Sequence, residues 1–204
     1  MSDAYLQPYR DAQAAHGTGF DVTLWARPAT QRRRFQIFTQ MLELRGKRLL
    51  DAGCSRGDLA GYLLEHGVAY GHYVGVDGLD SVIEHARQRD LPRSRFVAGD
   101  FVLQPQLMNL DDPDVVAISG SLNTMDLPTA LTVLQGAWEG CGEALVFNFL
   151  SDRAGPQAPP QEYPAHRLPT MKLLDWALDQ TPAVQLRQDY LPHGHDATIL
   201  MHKH

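Results

Sequence analysis

Apolar and polar positions change rhythm along this chain. Between residues 47 and 150, short apolar runs alternate with stretches whose apolar positions recur every three to four residues. The runs predict strands over Lys47–Asp51, Tyr73–Asp77, Arg95–Ala98, Asp114–Ser119 and Glu143–Leu150. The periodic stretches predict helices over Asp58–His66, Asp80–Arg89 and Leu127–Trp138. In the second of these, Val82, Ile83 and Ala86 share one side. An earlier helix starts near Pro28, carries Phe35, Phe38, Met41 and Leu42 on one face, and ends at Gly46. Strands alternating with helices imply a mostly parallel sheet covered on both faces, a three-layer doubly wound α/β fold.

The flanks differ in texture. Residues 1–27 are polar with scattered aromatics (Tyr5, Tyr9, Phe20 and Trp25), and no helix or strand is predicted there. Residues 151–168 are rich in proline and polar residues and read as a loop. Met171–Leu178 predicts a helix with Thr170 near its N-cap. Ala183–Tyr190 and Asp196–His202 predict strands joined by a turn at Leu191–His195. With no helix between them, these two must pair antiparallel as a hairpin at the sheet edge. The organisation is therefore 1–45, an N-terminal segment with a cap helix, and 46–204, the α/β domain.

Composition narrows the partners. A 204-residue chain with two cysteines, Cys54 and Cys141, needs neither a disulfide framework nor zinc to hold it. The N-terminus shows no secretory pattern and no run is long enough to cross a bilayer, so a reducing, cytoplasmic setting is expected. A net charge of −6 disfavours nucleic acid as a partner. Arg32, Arg33 and Arg34 form one basic run, read as the solvated face of a helix. His66 and His85 are expected at the surface. The cluster His193, His195, His202 and His204 offers no third metal ligand at a recognisable spacing, and no metal site is expected.

Chemistry concentrates at residues 49–63, LLDAGCSRGDLAGYL, a strand, a glycine-punctuated turn and a helix start. Gly53 and Gly57 let the backbone turn tightly and approach a ligand. Asp77 closes the second strand, where a nucleoside's ribose hydroxyls are held in such sheets. Gly99-Asp100-Phe101 follows the third. Asp51, Asp77 and Asp100 thus stand at the ends of three successive strands and define one crevice. An acidic crevice suits a cationic ligand and repels a pyrophosphate, and neither GxGxxG nor GxxxxGK[ST] is present.

LLDAGCSRG, YVGVDGLDSVIEHAR and FVAGDF together resemble the first three motifs of the class I S-adenosylmethionine-dependent methyltransferases. The likeness spans about residues 46–150 and implies a Rossmann-like fold and methyl transfer to an acceptor. It implies that Asp51, Gly53, Ser55 and Gly57 hold the methionine moiety and that Asp77 accepts from the ribose. Gly78 and Leu79 would border the adenine, Asp100 would accept from its amino group, and Phe101 would lie beside the ring. Ser119 would lie near the methionine end. One departure is Ser55, which stands where the motif has its middle glycine.

Two other readings stay open. GCSRG also spells the G-x-S-x-G elbow of α/β-hydrolases, with Ser55 as nucleophile and Asp152 and His193 or His195 following in order. A cofactor-binding domain without catalysis fits the same crevice. If a general base is used, candidates lie on segments over the carboxyl edge of the sheet: Tyr163, His166, Asn123, Asp126, His193 and His195. The turn SGSLNTMD lacks the N/D-P-P-aromatic signature of amino-group methylation on adenine or glutamine, so the expected acceptor is a small molecule. Tyr9 and Trp25 are expected either to cover the cofactor or to pack the first helix on the sheet. Oligomeric state is not legible.

Overall fold

The computed structural model describes residues 4–203, so His204 lies outside the described residues. Seven strands form one sheet: β1 (Arg48–Ala52), β2 (His72–Asp77), β3 (Ser94–Ala98), β4 (Val115–Ser119), β5 (Ala144–Leu150), β6 (Val184–Arg187) and β7 (Asp196–His202). Their order is β3-β2-β1-β4-β5-β7-β6. The first five are parallel, and β7 enters antiparallel beside β5 and carries β6 on its outer side. Six helices accompany them: α1 (Gln7–His16), α2 (Pro28–Met41), α3 (Asp58–Glu65), α4 (Asp80–Gln88), α5 (Leu127–Gly140) and α6 (Thr170–Gln180). The three-layer doubly wound α/β fold with an antiparallel C-terminal hairpin is thus present. None of the described helices is long and apolar enough to cross a membrane.

Alternation along each strand builds two cores. Leu50, Val74, Val116 and Phe147 face the layer holding α5 and α6. Leu49, Tyr73, Val115 and Val146 face the layer holding α2, α3 and α4. Register ties these faces together: Leu50 lies beside both Val74 and Val116. Because both faces are covered, the strands read as continuous apolar runs.

The chain winds outward through β1, β2 and β3, then returns to β4 beside β1. At that reversal the loops after β1 and β4 separate, which opens a crevice at the carboxyl ends of the strands.

Several expectations are corrected. Residues 1–27 hold α1 and a short 3-10 turn, Phe20–Thr23. Helix α1 buries only Pro8 and Ala12, so it carries almost no apolar stripe to read. Helix α2 stops at Met41 rather than Gly46, because Leu42 turns extended to bury Leu44 beneath the sheet. Thr170 does lie beside the N-cap of α6, which is Pro169, and its N–H is taken by the Asp152 carboxylate at 2.9 Å. The strand expected over Ala183–Tyr190 pairs only from Val184 to Arg187.

Arg34 is the largest departure. Arg32 is exposed beside Glu65, but Arg34 is buried, held by Asp196 at the start of β7. Gln31, Arg34, Phe35 and Phe38 recur at helical spacing on the inward side of α2, so the third arginine of the run points inward.

Candidate functional site

Each strand end delivers one acid. Asp51, on β1, is buried and accepts a hydrogen bond from the Tyr73 hydroxyl. Burial outweighs that bond and raises its pKa to about 7. Asp77 closes β2, with one carboxylate oxygen taking the Ser55 N–H at 2.9 Å and the other the Leu79 N–H at 3.0 Å. Desolvation lifts its pKa to about 6 against those bonds. Asp100 follows β3 and accepts the Tyr5 hydroxyl on both oxygens, at 2.8 and 2.6 Å, with the Val102 N–H at 3.0 Å.

The turn after β1 is shaped by two tight approaches. A Cβ on Gly53 (φ +82°) would stand 1.8 Å from the Ser121 hydroxyl, which itself follows β4. Ser55 holds φ +46°, a left-handed conformation that favours glycine. Gly57 (φ +72°) opposes the ring of Phe96 and belongs to the packing beneath the turn rather than to the cavity wall.

Above the three acids lies a cavity of about 280 Å³. Asp51, Gly53, Ser55, Asp77, Gly78, Leu79, Asp100, Phe101 and Ser119 all line it. The motif residues named from sequence, Gly57 apart, are therefore brought to one place.

Of its remaining wall, the sequence points to Tyr9, Trp25, Asn123 and Tyr163 and not to the rest. Tyr5, Leu6, Tyr9, Val22 and Trp25 close it from the N-terminal segment, Gln31 and Phe35 from α2, and Gln161–Ala165 from the proline-rich loop. The spacing of Tyr5 and Tyr9, one helical turn apart, was the available signal. Tyr9 does both things considered for it: it lines the cavity and packs on Val22, Leu79 and Val82. Burial pushes its hydroxyl up to about 12, partly offset by a hydrogen bond with Thr124. Trp25 is sandwiched, with the Arg34 guanidinium 4.0 Å from its ring centroid and its ring edge where a side chain on Gly120 would stand.

The candidate bases scatter. Tyr163 lines the rim and is 86% exposed. Asn123 lines the cavity but is buried, its side-chain oxygen taking the Leu150 N–H at 2.9 Å. Asp126 caps α5 through Thr129. His166 bonds the Met125 carbonyl and lies outside the wall. His193 and His195 are also outside it: His193 sits in the turn before β7, and His195 reaches Asp196 at 3.1 Å. The reason is topological, since β7 sits beyond β5 while the crevice opens between β1 and β4.

The same placement removes the hydrolase reading. Among the described residues no histidine lines the cavity with Ser55, and Asp152 is engaged at the start of α6. Among the described residues every charged wall residue is acidic: Asp51, Asp58, Asp77, Asp100 and Glu162. The described residues hold no group of three or more candidate metal ligands.

No family model and no curated protein matches the sequence. Solved structures do. An S-adenosylmethionine-dependent methyltransferase from Archaeoglobus fulgidus superposes with a TM-score of 0.66 at 14% identity, covering 90% of this chain and 98% of that one. Magnesium protoporphyrin IX methyltransferase from Synechocystis, solved with its S-adenosylmethionine bound, gives 0.67 at 14% identity over 98% and 96%. A methyltransferase from Streptomyces caelestis gives 0.66 at 14% identity over 96% and 98%. The chain has the Rossmann-like fold of the class I S-adenosylmethionine-dependent methyltransferases.

Proposed function

We propose that this chain binds S-adenosylmethionine in the crevice and transfers its methyl group to a small-molecule acceptor. One observation carries the reading. Asp51, Asp77 and Asp100, from three successive strand ends, meet on one cavity whose wall bears no basic side chain among the described residues. A cationic sulfonium with two ribose hydroxyls suits that wall.

The fit is residue by residue. Asp77 takes the Ser55 N–H on one oxygen and the Leu79 N–H on the other, with the Gly78 N–H also bonding the carboxylate, and keeps a lone pair for a ribose hydroxyl. Gly53 admits no side chain, so backbone alone borders the ligand there. Leu79 and Phe101 supply apolar walls for a flat base. The bound cofactor supplies an electrophilic methyl on a good leaving group. The protein's part is then alignment and exclusion of water, which can contribute roughly 7–11 kcal/mol. Tyr9, Trp25 and the 161–165 loop line the same cavity, and the acceptor would enter along them.

Calorimetric titration with S-adenosylmethionine and S-adenosylhomocysteine tests this. Binding of both, lost in Asp77→Ala with the fold intact by circular dichroism, is the expected result. Absence of binding at roughly millimolar ligand, weaker than about −4 kcal/mol, rejects it. Binding without turnover across an acceptor screen leaves the non-catalytic cofactor-binding domain as the reading.

A further inference from the structure

The N-terminal segment meets the cavity wall at two residues that a ligand would also use. The Tyr5 hydroxyl stands 2.8 and 2.6 Å from the two oxygens of Asp100. Oδ1 also receives the Val102 and Leu103 N–H groups, so Oδ2 is the oxygen with room for a further donor, and Tyr5 stands on it. Next to Tyr5, both methyl carbons of Leu6 lie 3.1 Å from where a Cβ on Gly78 would be. Tyr5 and Leu6 thus lie against Asp100 and Gly78 on the wall of one cavity.

The space left is small. The cavity holds about 280 Å³, below the roughly 300–1,000 Å³ of ordinary ligand pockets. A methyl-transfer site must take a cofactor and an acceptor together.

Resting on the methyl-transfer reading, we infer that residues 4–16 form an autoinhibitory latch. Tyr5 and Leu6 hold the contacts on Asp100 and Gly78 that the adenine would make, and cofactor binding swings α1 away and opens the room that the acceptor needs.

The way the segment is attached supports such a motion. Helix α1 buries only Pro8 and Ala12 and has no side-chain cap. Tyr9 adds a hold on Leu79 and Val82. The part that follows is fixed: Val22 and Thr23 are buried, and Trp25 lies between the Arg34 guanidinium and Gly120. Gly17, Thr18 and Gly19 separate the two parts. Gly17 ends α1 at φ +63°, and a Cβ there would meet nothing within 4 Å, so the backbone can turn without striking a neighbour. A ten-residue helix freed from its contacts is marginal in water, so α1 frays once Tyr5 and Leu6 let go.

Hydrogen–deuterium exchange on the full chain, read by mass spectrometry with and without saturating S-adenosylhomocysteine, tests the latch. A ligand that merely stabilises the fold slows exchange throughout. Here peptides covering Gln7–His16 should exchange at least about tenfold faster when the ligand is bound, the worth of a lost hydrogen bond to a carboxylate. Peptides covering β1 and β2 should slow or hold. Leu6→Ala should loosen α1 in the ligand-free protein and also tighten S-adenosylhomocysteine binding, because more of the molecules are already open. A merely structural role for Leu6 would loosen α1 without that gain. Slower or unchanged exchange in α1 on ligand binding overturns the latch, and so does Leu6→Ala with unimproved affinity. Failure of S-adenosylhomocysteine to bind at all in calorimetry removes the methyl-transfer reading itself, so the two failures are distinguishable.

Discussion

Asp196 receives Arg34 through two side-by-side hydrogen bonds, from Nε at 2.7 Å and from Nη2, across 162 positions of sequence. Both side chains are buried, and the guanidinium stacks on Trp25. The pair therefore ties α2 to β7 and braces one wall of the cavity. Removing one partner leaves a buried charge without compensation. Asp196→Ala should cost about 3–5 kcal/mol of stability, read by chemical denaturation. The double variant Arg34→Met with Asp196→Leu should recover most of that loss, because neither charge is then buried. Equal losses in the single and double variants would contradict the assignment of the cost to an orphaned charge.

The Tyr5 hydroxyl donates to the same Asp100 carboxylate that the methyltransferase likeness assigns to the adenine amino group. Both contacts draw on one set of lone pairs. Tyr5→Phe removes the competitor and keeps the ring, so S-adenosylhomocysteine should bind about 2–10-fold more tightly, the worth of one neutral hydrogen bond. Calorimetry reads this directly. Weaker binding would show instead that the hydroxyl aligns Asp100 for the ligand.

Asp51 and Asp77 set opposite pH trends for the free and bound protein. Their folded pKa values, about 7 and about 6, lie above the ordinary 3.8. Between pH 3.8 and these values the folded state therefore holds more protons than the unfolded chain. Stability of the ligand-free protein from these groups must fall as pH rises through that window. A cationic cofactor and ribose donors favour the ionised carboxylates, so S-adenosylmethionine affinity should rise over the same window. Thermal melts across that range should show a ligand-induced shift that grows with pH. In Asp77→Asn the part of that growth centred near pH 6 should vanish. A shift independent of pH would refute the coupling.

What could be read from sequence follows the physics of a sheet buried on both faces. Leu49-Leu50 and Val115–Ile118 are apolar in succession because adjacent residues enter opposite cores. The acids at the strand ends break those runs and so stood out. Helix α1 did not, although a cover was one of the two expectations for Tyr9 and Trp25, because it buries little. Arg34 was hidden by counting charge instead of following helical phase. His193 and His195 were misplaced because a strand end specifies an edge of the sheet, not a position along it; only the insertion of β7 beyond β5 does that.

Ser55 offers the most local test of the turn. Its backbone holds φ +46°, which costs a residue with a Cβ roughly 1–2 kcal/mol relative to glycine. Glycine loses more freedom on folding, roughly 0.5–1 kcal/mol, so the net gain of Ser55→Gly should be at most about 1.5 kcal/mol, a rise of no more than roughly 3–6 °C in Tm. The Ser55 N–H that holds Asp77 at 2.9 Å is backbone and survives the change, so cofactor affinity should hold or improve. Ser55→Val places a β-branched side chain in the same conformation and should lower Tm and weaken binding together. A fall in Tm for the glycine variant would mean that the serine hydroxyl, not the backbone angle, sets the stability of this turn.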